Sequence, residues 1–163
     1  MKTKIITVAA VLLVSIAVNA QKLTKIIQPE GTLTAQYQGT SSKESIKMVI
    51  DENVKTKYSL NKTFPLWIQY EAPTAVVVNQ YVIASANDVP ARDPKEWVLK
   101  ASQDGIRWVD LDVQKDQIFP DRFTERTFKM ANTVAYKFYR LDILSNGGNP
   151  MTQLSEWSLL NSK

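Results

Sequence analysis

Asp51, Asn53 and Thr56 place a carboxylate, an amide and a hydroxyl at i, i+2 and i+5 in the stretch "IDENVKTKY". Three side-chain oxygens so close in a loop can converge on one point. Hard cations such as calcium take six to eight oxygens and accept mixed carboxylate and carbonyl ligands. A solvated turn explains the same residue types, because Asp, Asn and Thr also bond to nearby backbone. Both readings stand at this stage. The 163 residues contain no His and no Cys. That excludes Ser-His-Asp and Cys-His nucleophile systems, zinc sites built on His or Cys, and disulfides. A carboxylate-only glycosidase and an oxygen-ligand metal site remain open.

Those residues need a scaffold. Residues 1–20 have the layout of a secretory signal peptide of bacterial type. Lys2 and Lys4 precede the apolar run "IITVAAVLLVSIAV", and "VNA" supplies small residues before Gln21. The run is short for a membrane span, so cleavage is expected after Ala20, with secreted or periplasmic export and no membrane insertion afterwards. Under that reading the sequon Asn61-Lys62-Thr63 goes unused. Residues 21–30 read as a short tail and residues 31–163 as one domain. Without Lys2 and Lys4, 18 basic residues face 16 acidic ones, interleaved along the chain. Nucleic acid is therefore not an expected partner.

Short alternating apolar runs dominate the remainder: "TLTAQY", "LWIQY", the long β-branched "AVVVNQYVIASA", "EWVLKAS", "GIRWVDLDV", "FTERTFKM", "YKFYRLDIL" and "QLSEWSLL". Pro, Gly, Asn and Asp separate them, and long helical periodicity is missing. "KESIKMVI" suits one helical turn. The pattern predicts an all-β, antiparallel jelly-roll β-sandwich of about eight strands, whose sheets each bury one face. Trp67, Trp97, Trp108 and Trp157 are expected in its core.

Several stretches together resemble the F5/8 type C, or discoidin-like, domain. They are "IDENVKTKY", residues 67–112 with "SANDVPARDPKEWVLKASQDGIRW" at their centre, "FTERTFKM", "AYKFYRLDI" and "QLSEWSLL". The resemblance implies a galactose-binding-like sandwich, similar to family 32 carbohydrate-binding modules, and a structural Ca2+ in the 51–56 loop. By position, Asp51, Asn53 and Thr56 supply side-chain oxygens, Glu156 a distant carboxylate, and backbone near Met48, Thr56 and Ser155 the carbonyls. The ion would clasp the first loop to the last strand. Two departures are Glu52, where the family often has Gly, and Tyr58, where it often has Trp.

In the resembling modules, loops at one end of the sandwich bind sugar, here expected opposite the cation. The implied ligand-binding residues are Asn87, Asp88 and Arg92 from "SANDVPARDP", Arg122 and Phe123 (with Phe119) from "FPDRF", and Asn146 (with Asn149) from "SNGGNP". Arg92-Asp93 also reads as a pair bracing its own loop. The expected function is a secreted, non-catalytic module for a glycan or glycoconjugate. The alternative is a cell-surface adhesion or docking domain that engages a protein or a partner enzyme.

Overall fold

The computed structural model describes residues 23–27, 30–62 and 64–162. The expected signal peptide lies outside the described residues. Eleven strands are present among those residues, all pairing antiparallel, with three short 3-10 turns and no α-helix. They are β1 (Leu23–Lys25), β2 (Thr32–Ala35), β3 (Tyr58–Leu60), β4 (Leu66–Val77), β5 (Gln80–Ala84), β6 (Pro94–Ser102), β7 (Val109–Gln114), β8 (Glu125–Lys129), β9 (Ala135–Asn146), β10 (Thr152–Leu154) and β11 (Glu156–Ser162). One sheet runs β1-β11-β5-β8 and the other β2-β4-β9-β6-β7, while β10 and β3 form a small ribbon. This is the antiparallel jelly-roll sandwich expected from the alternating pattern.

Period-two alternation decides which side chains fill the interior. Leu66, Ile68 and Tyr70 of β4 and Tyr139, Leu141 and Ile143 of β9 are buried from one sheet; Tyr81, Ile83, Trp157 and Leu159 meet them from the other. Phe128 stacks on Tyr81 and meets Trp97 edge-on, with centroids 5.0 and 5.2 Å apart. The polar ends of these rings are satisfied inside. Trp97 Nε1 donates to the Tyr81 hydroxyl at 2.8 Å, which donates to Asp112 at 2.6 Å.

Four expectations need correction. The segment 21–30 is not wholly a tail, because Leu23–Lys25 adds a strand to β11, whose edge offers unpaired backbone groups. "AVVVNQYVIASA" is two strands, not one run. The chain turns at Val78 and Asn79, and Asn79 is held by Ser162 through its amide oxygen and nitrogen. Trp67 and Trp108 are not core residues. Trp67 shares the outward phase of β4 with Gln69, and both indoles flank the Arg140 guanidinium, at 4.7 and 4.0 Å. Trp108 reaches it because Asp104 ties the preceding turn, accepting from the Ile106 and Arg107 amides.

Candidate functional site

Register and hydrogen bonds bring five irregular segments to one end of the sandwich. Ala84 pairs with both Glu125 and Glu156, Leu66 with Ile143, Pro94 with Asn146, and Leu60 with Thr152. Segments 61–65, 85–93, 115–124 and 146–151 therefore share that end, and contacts of Asn53 with Glu156 and of Lys57 with Asp88 bring segment 51–57 to it. The expected cation loop and ligand loops are thus not on opposite rims. Lys57 joins them, with Nζ 2.9 Å from Asp88 Oδ2 and 3.4 Å from Gln153 Oε1. Burial works against the charged form of Asp88, but Lys57 and Arg92 outweigh it and hold the carboxyl below its ordinary range.

The 51–56 loop meets the last strand as expected. The Asn53 amide N–H donates to Glu156 Oε1 at 2.9 Å and to Asp51 Oδ1 at 3.0 Å, so two carboxylates converge on one donor. The Thr56 hydroxyl bonds both Asp51 oxygens, at 2.9 and 2.7 Å. Burial, then the Asp51 carboxylate, pushes Glu156 up to about 7. The donors are all oxygens and two are carboxylates, which fits a hard cation. Asn53 Oδ1 accepts from the Lys55 amide at 3.1 Å, so part of the loop is already satisfied internally. Ser155 directs its hydroxyl to the Ala84 and Ser85 carbonyls, and Met48, whose backbone was the expected contributor, sits in the 3-10 turn Ile46–Ile50. Glu52 adopts φ 63°, the left-handed backbone that glycine would take without strain, and pairs with Lys25 at 2.8 Å.

Arg122 and Asn146 hold the neighbouring loops rather than facing solvent. Arg122 Nη1 donates to the Ala86 and Asp88 carbonyls at 3.3 and 2.9 Å; Nη2 reaches Asp93 Oδ2 at 2.5 Å and the Phe119 carbonyl at 3.0 Å. A guanidinium with these four acceptors has little left for a ligand. Asn146 is buried. Its amide nitrogen bonds the Asn149 and Met151 carbonyls, and its amide oxygen accepts from the Gly148 and Asn149 amides. Phe119 is buried as well. Arg122 and Asn146, expected to contact a ligand, have a bracing role here, since saturated polar groups keep loops in shape.

Four expected residues remain wholly or partly accessible. Asn87 is exposed. Asp88 and Arg92 approach at 3.7 Å, yet Asp88 Oδ1 and Arg92 Nε are buried without a hydrogen-bond partner among the described residues. Phe123 is 43% exposed and holds φ 58°, an unfavourable backbone for a phenylalanine.

Two clefts flank the braced 146–151 loop. One, of about 300 Å³, is lined by Pro90, Ala91, Lys95, Gln117, Phe119 and Gly147, among others. Gly147 is required there, since a Cβ would stand 2.8 Å from Ala91 Cα. The second, of about 430 Å³, is lined by Asn61, Lys62, Phe64, Asn149 and Pro150. Each combines an aromatic ring, a side-chain amide and a lysine. The sequence reading missed Asn61, Lys62 and Phe64; an aromatic residue inside the polar stretch "NKTFP" was the available signal.

This architecture defines an antiparallel jelly-roll module with irregular segments gathered at one end. More particularly, the chain has the fold of F5/8 type C domains and family 32 carbohydrate-binding modules. It is similar to an F5/8 type C domain from Bacteroides fragilis (TM-score 0.73, 13% identity, 86% of this chain and 97% of that one). It is also similar to a family 32 module from Clostridium perfringens in complex with GalNAc-β-1,3-galactose (TM-score 0.71, 16% identity, 83% and 99% covered). A family 32 module from Streptococcus pneumoniae gives a TM-score of 0.69 at 14% identity, with 86% and 100% covered. No protein-family profile matches the chain. In sequence, 65 residues are 42% identical to a peptide-N(4)-(N-acetyl-beta-glucosaminyl)asparagine amidase from Arabidopsis thaliana. That match spans 36% of this chain and only 9% of that protein.

Proposed function

We propose that this chain is a non-catalytic carbohydrate-binding domain that grips a glycan at its loop end. The observation that carries the reading is the cleft beside the 146–151 loop that sets the half-buried Phe64 ring next to the Asn61 and Asn149 amides. An aromatic face suits the C–H side of a pyranose, and planar amides suit its hydroxyls. Bracing by Arg122 and Asn146 prepares these surfaces before a ligand arrives, which lowers the ordering cost of binding. The likeness to modules solved with GalNAc-β-1,3-galactose and with galactose supports the same ligand class. The amidase similarity is too short to carry an activity, and the chain has no Cys or His to build a nucleophile on.

Export and a structural Ca2+ belong to this proposal. Asp51 and Glu156 would hold the ion, with Asn53 and Thr56 beside them, and it would supply counter-charge to the two carboxylates. Among the described residues no helix is long and apolar enough to cross a membrane.

Titration calorimetry with a glycan panel tests the function. Phe64→Ala and Phe123→Ala should each weaken binding with melting intact. A second reading, docking onto a protein, draws on exposed Ile118 and Phe123 at the same end, 72% and 43% accessible. A blank glycan panel together with partner capture lost on Ile118→Asp would favour it.

A further inference from the structure

The two clefts differ in charge, and the difference names a ligand class. In the cleft beside Phe119, the ammonium of Lys95 is answered by Asp116 at 3.2 Å. In the cleft beside Phe64, Lys62 is the sole charged side chain among the described lining residues, and it enters no ion pair among the described residues.

Lys62 is also held in place. Its ammonium lies 5.2 Å from the centre of the Tyr37 ring. The carbonyl of Tyr37 accepts the hydroxyl of buried Tyr58 at 2.7 Å, so the backbone that carries this ring is tied to the core. A cation resting on an aromatic face loses less freedom on meeting an anion than a lysine free in solvent does.

The amides around it are donors in waiting. Asn149 spends its side-chain oxygen on the Met151 amide at 3.0 Å, which leaves Nδ2 unengaged. The Asn61 side chain is exposed and makes no hydrogen bond among the described residues. Phe64 and Pro150 supply the apolar wall.

We propose that the Phe64–Pro150 cleft selects an acidic sugar, a uronate whose carboxylate meets Lys62 while Asn61 and Asn149 hold its hydroxyls. The inference rests on the glycan-binding reading and narrows it. A neutral sugar would fill the same cleft without using the ammonium. A uronate adds a charge-assisted hydrogen bond, which is about twice as strong as a neutral one.

The test is titration of the full chain with two matched pairs: trigalacturonate against galactotriose, and trimannuronate against mannotriose. The acidic member of at least one pair should bind 10-fold or more tightly than its neutral partner, and the margin should shrink at high salt. Lys62→Gln should erase the margin while the melting temperature stays put, and Lys62→Arg should keep it. If neutral and acidic members bind equally and both are weakened by Phe64→Ala, the acidic preference falls while glycan binding stands. An acidic preference that survives Lys62→Gln also overturns the assignment. If no saccharide binds, both readings fall together.

Discussion

Arg122 and Asp93 face each other inside the loop end, with Nη2 2.5 Å from Oδ2, and Asp93 is 5% accessible. The pair joins the 85–93 segment to the 115–124 segment, and the other guanidinium bonds to the Ala86, Asp88 and Phe119 carbonyls widen that seam. The Gln153 amide closes it from a third side, donating to the Asp88 and Val89 carbonyls and to Asp93 Oδ1.

Truncating Arg122 should therefore act on folding before it acts on binding. Arg122→Ala leaves the Asp93 carboxylate buried without its partner, an arrangement that costs about 3–5 kcal/mol. Urea denaturation should show a loss of that size. Arg122→Lys should recover little, since one ammonium cannot reach acceptors arranged for a planar fork.

Phe123 should separate stability from function. Its left-handed backbone costs about 1 kcal/mol for a side chain with a Cβ and nothing for glycine. Phe123→Gly should raise the denaturation midpoint while sugar affinity falls. Equal affinity in the variant would show that the exposed ring does not touch the ligand.

Glu156 should make the metal-free protein weaker as pH rises. Its carboxyl stands at about 7 in the fold, above its ordinary 4.5, because burial and Asp51 disfavour the charge. The stability linked to the protonated form is fully present below 4.5 and is lost as pH climbs through about 7. The loss is read as a melting temperature that falls with rising pH in chelator. Glu156→Gln should flatten the profile. Added Ca2+ at pH 8 should restore the wild-type melting temperature and leave Glu156→Gln unmoved.

Asn146→Ala should damage both clefts at once. The substitution removes two donors and two acceptor bonds that shape the 146–151 loop, and buried partners left unmet cost about 1–3 kcal/mol. Hydrogen exchange should quicken at Gly148 and Asn149, and sugar affinity should fall although Asn146 is buried away from solvent.

The fold was legible because alternation is local. Leu66, Ile68 and Tyr70 announce their face of β4 by spacing alone, and the same holds for Tyr139, Leu141 and Ile143. Trp67 and Trp108 defeated the reading because hydrophobic size was taken as burial. Their positions follow from phase and from the turn before β7, and cation–π contact with Arg140 makes an outward site favourable for indoles.

The site was legible only in part. The family resemblance, and not residue types alone, pointed to the 51–56 loop meeting Glu156, and the Asn53 amide does bond its carboxylate. The same types did not reveal the internal bonds of Arg122 and Asn146, because a polar side chain in a loop looks alike whether it serves a ligand or its own backbone. Which carbonyls lie within reach depends on how five segments converge.

The amino-acid order by itself determined an antiparallel sandwich, a chain without His or Cys chemistry, and an oxygen-rich loop awaiting a partner strand. Only the tertiary structure decided that the oxygen-rich loop and the clefts share one end, that Arg122 and Asn146 are braces, and that Lys62 faces a cleft unanswered. Strand identity is written in spacing between near neighbours. Saturation of a hydrogen-bonding group is a property of everything packed around it, and that is set by contacts between residues distant in the chain.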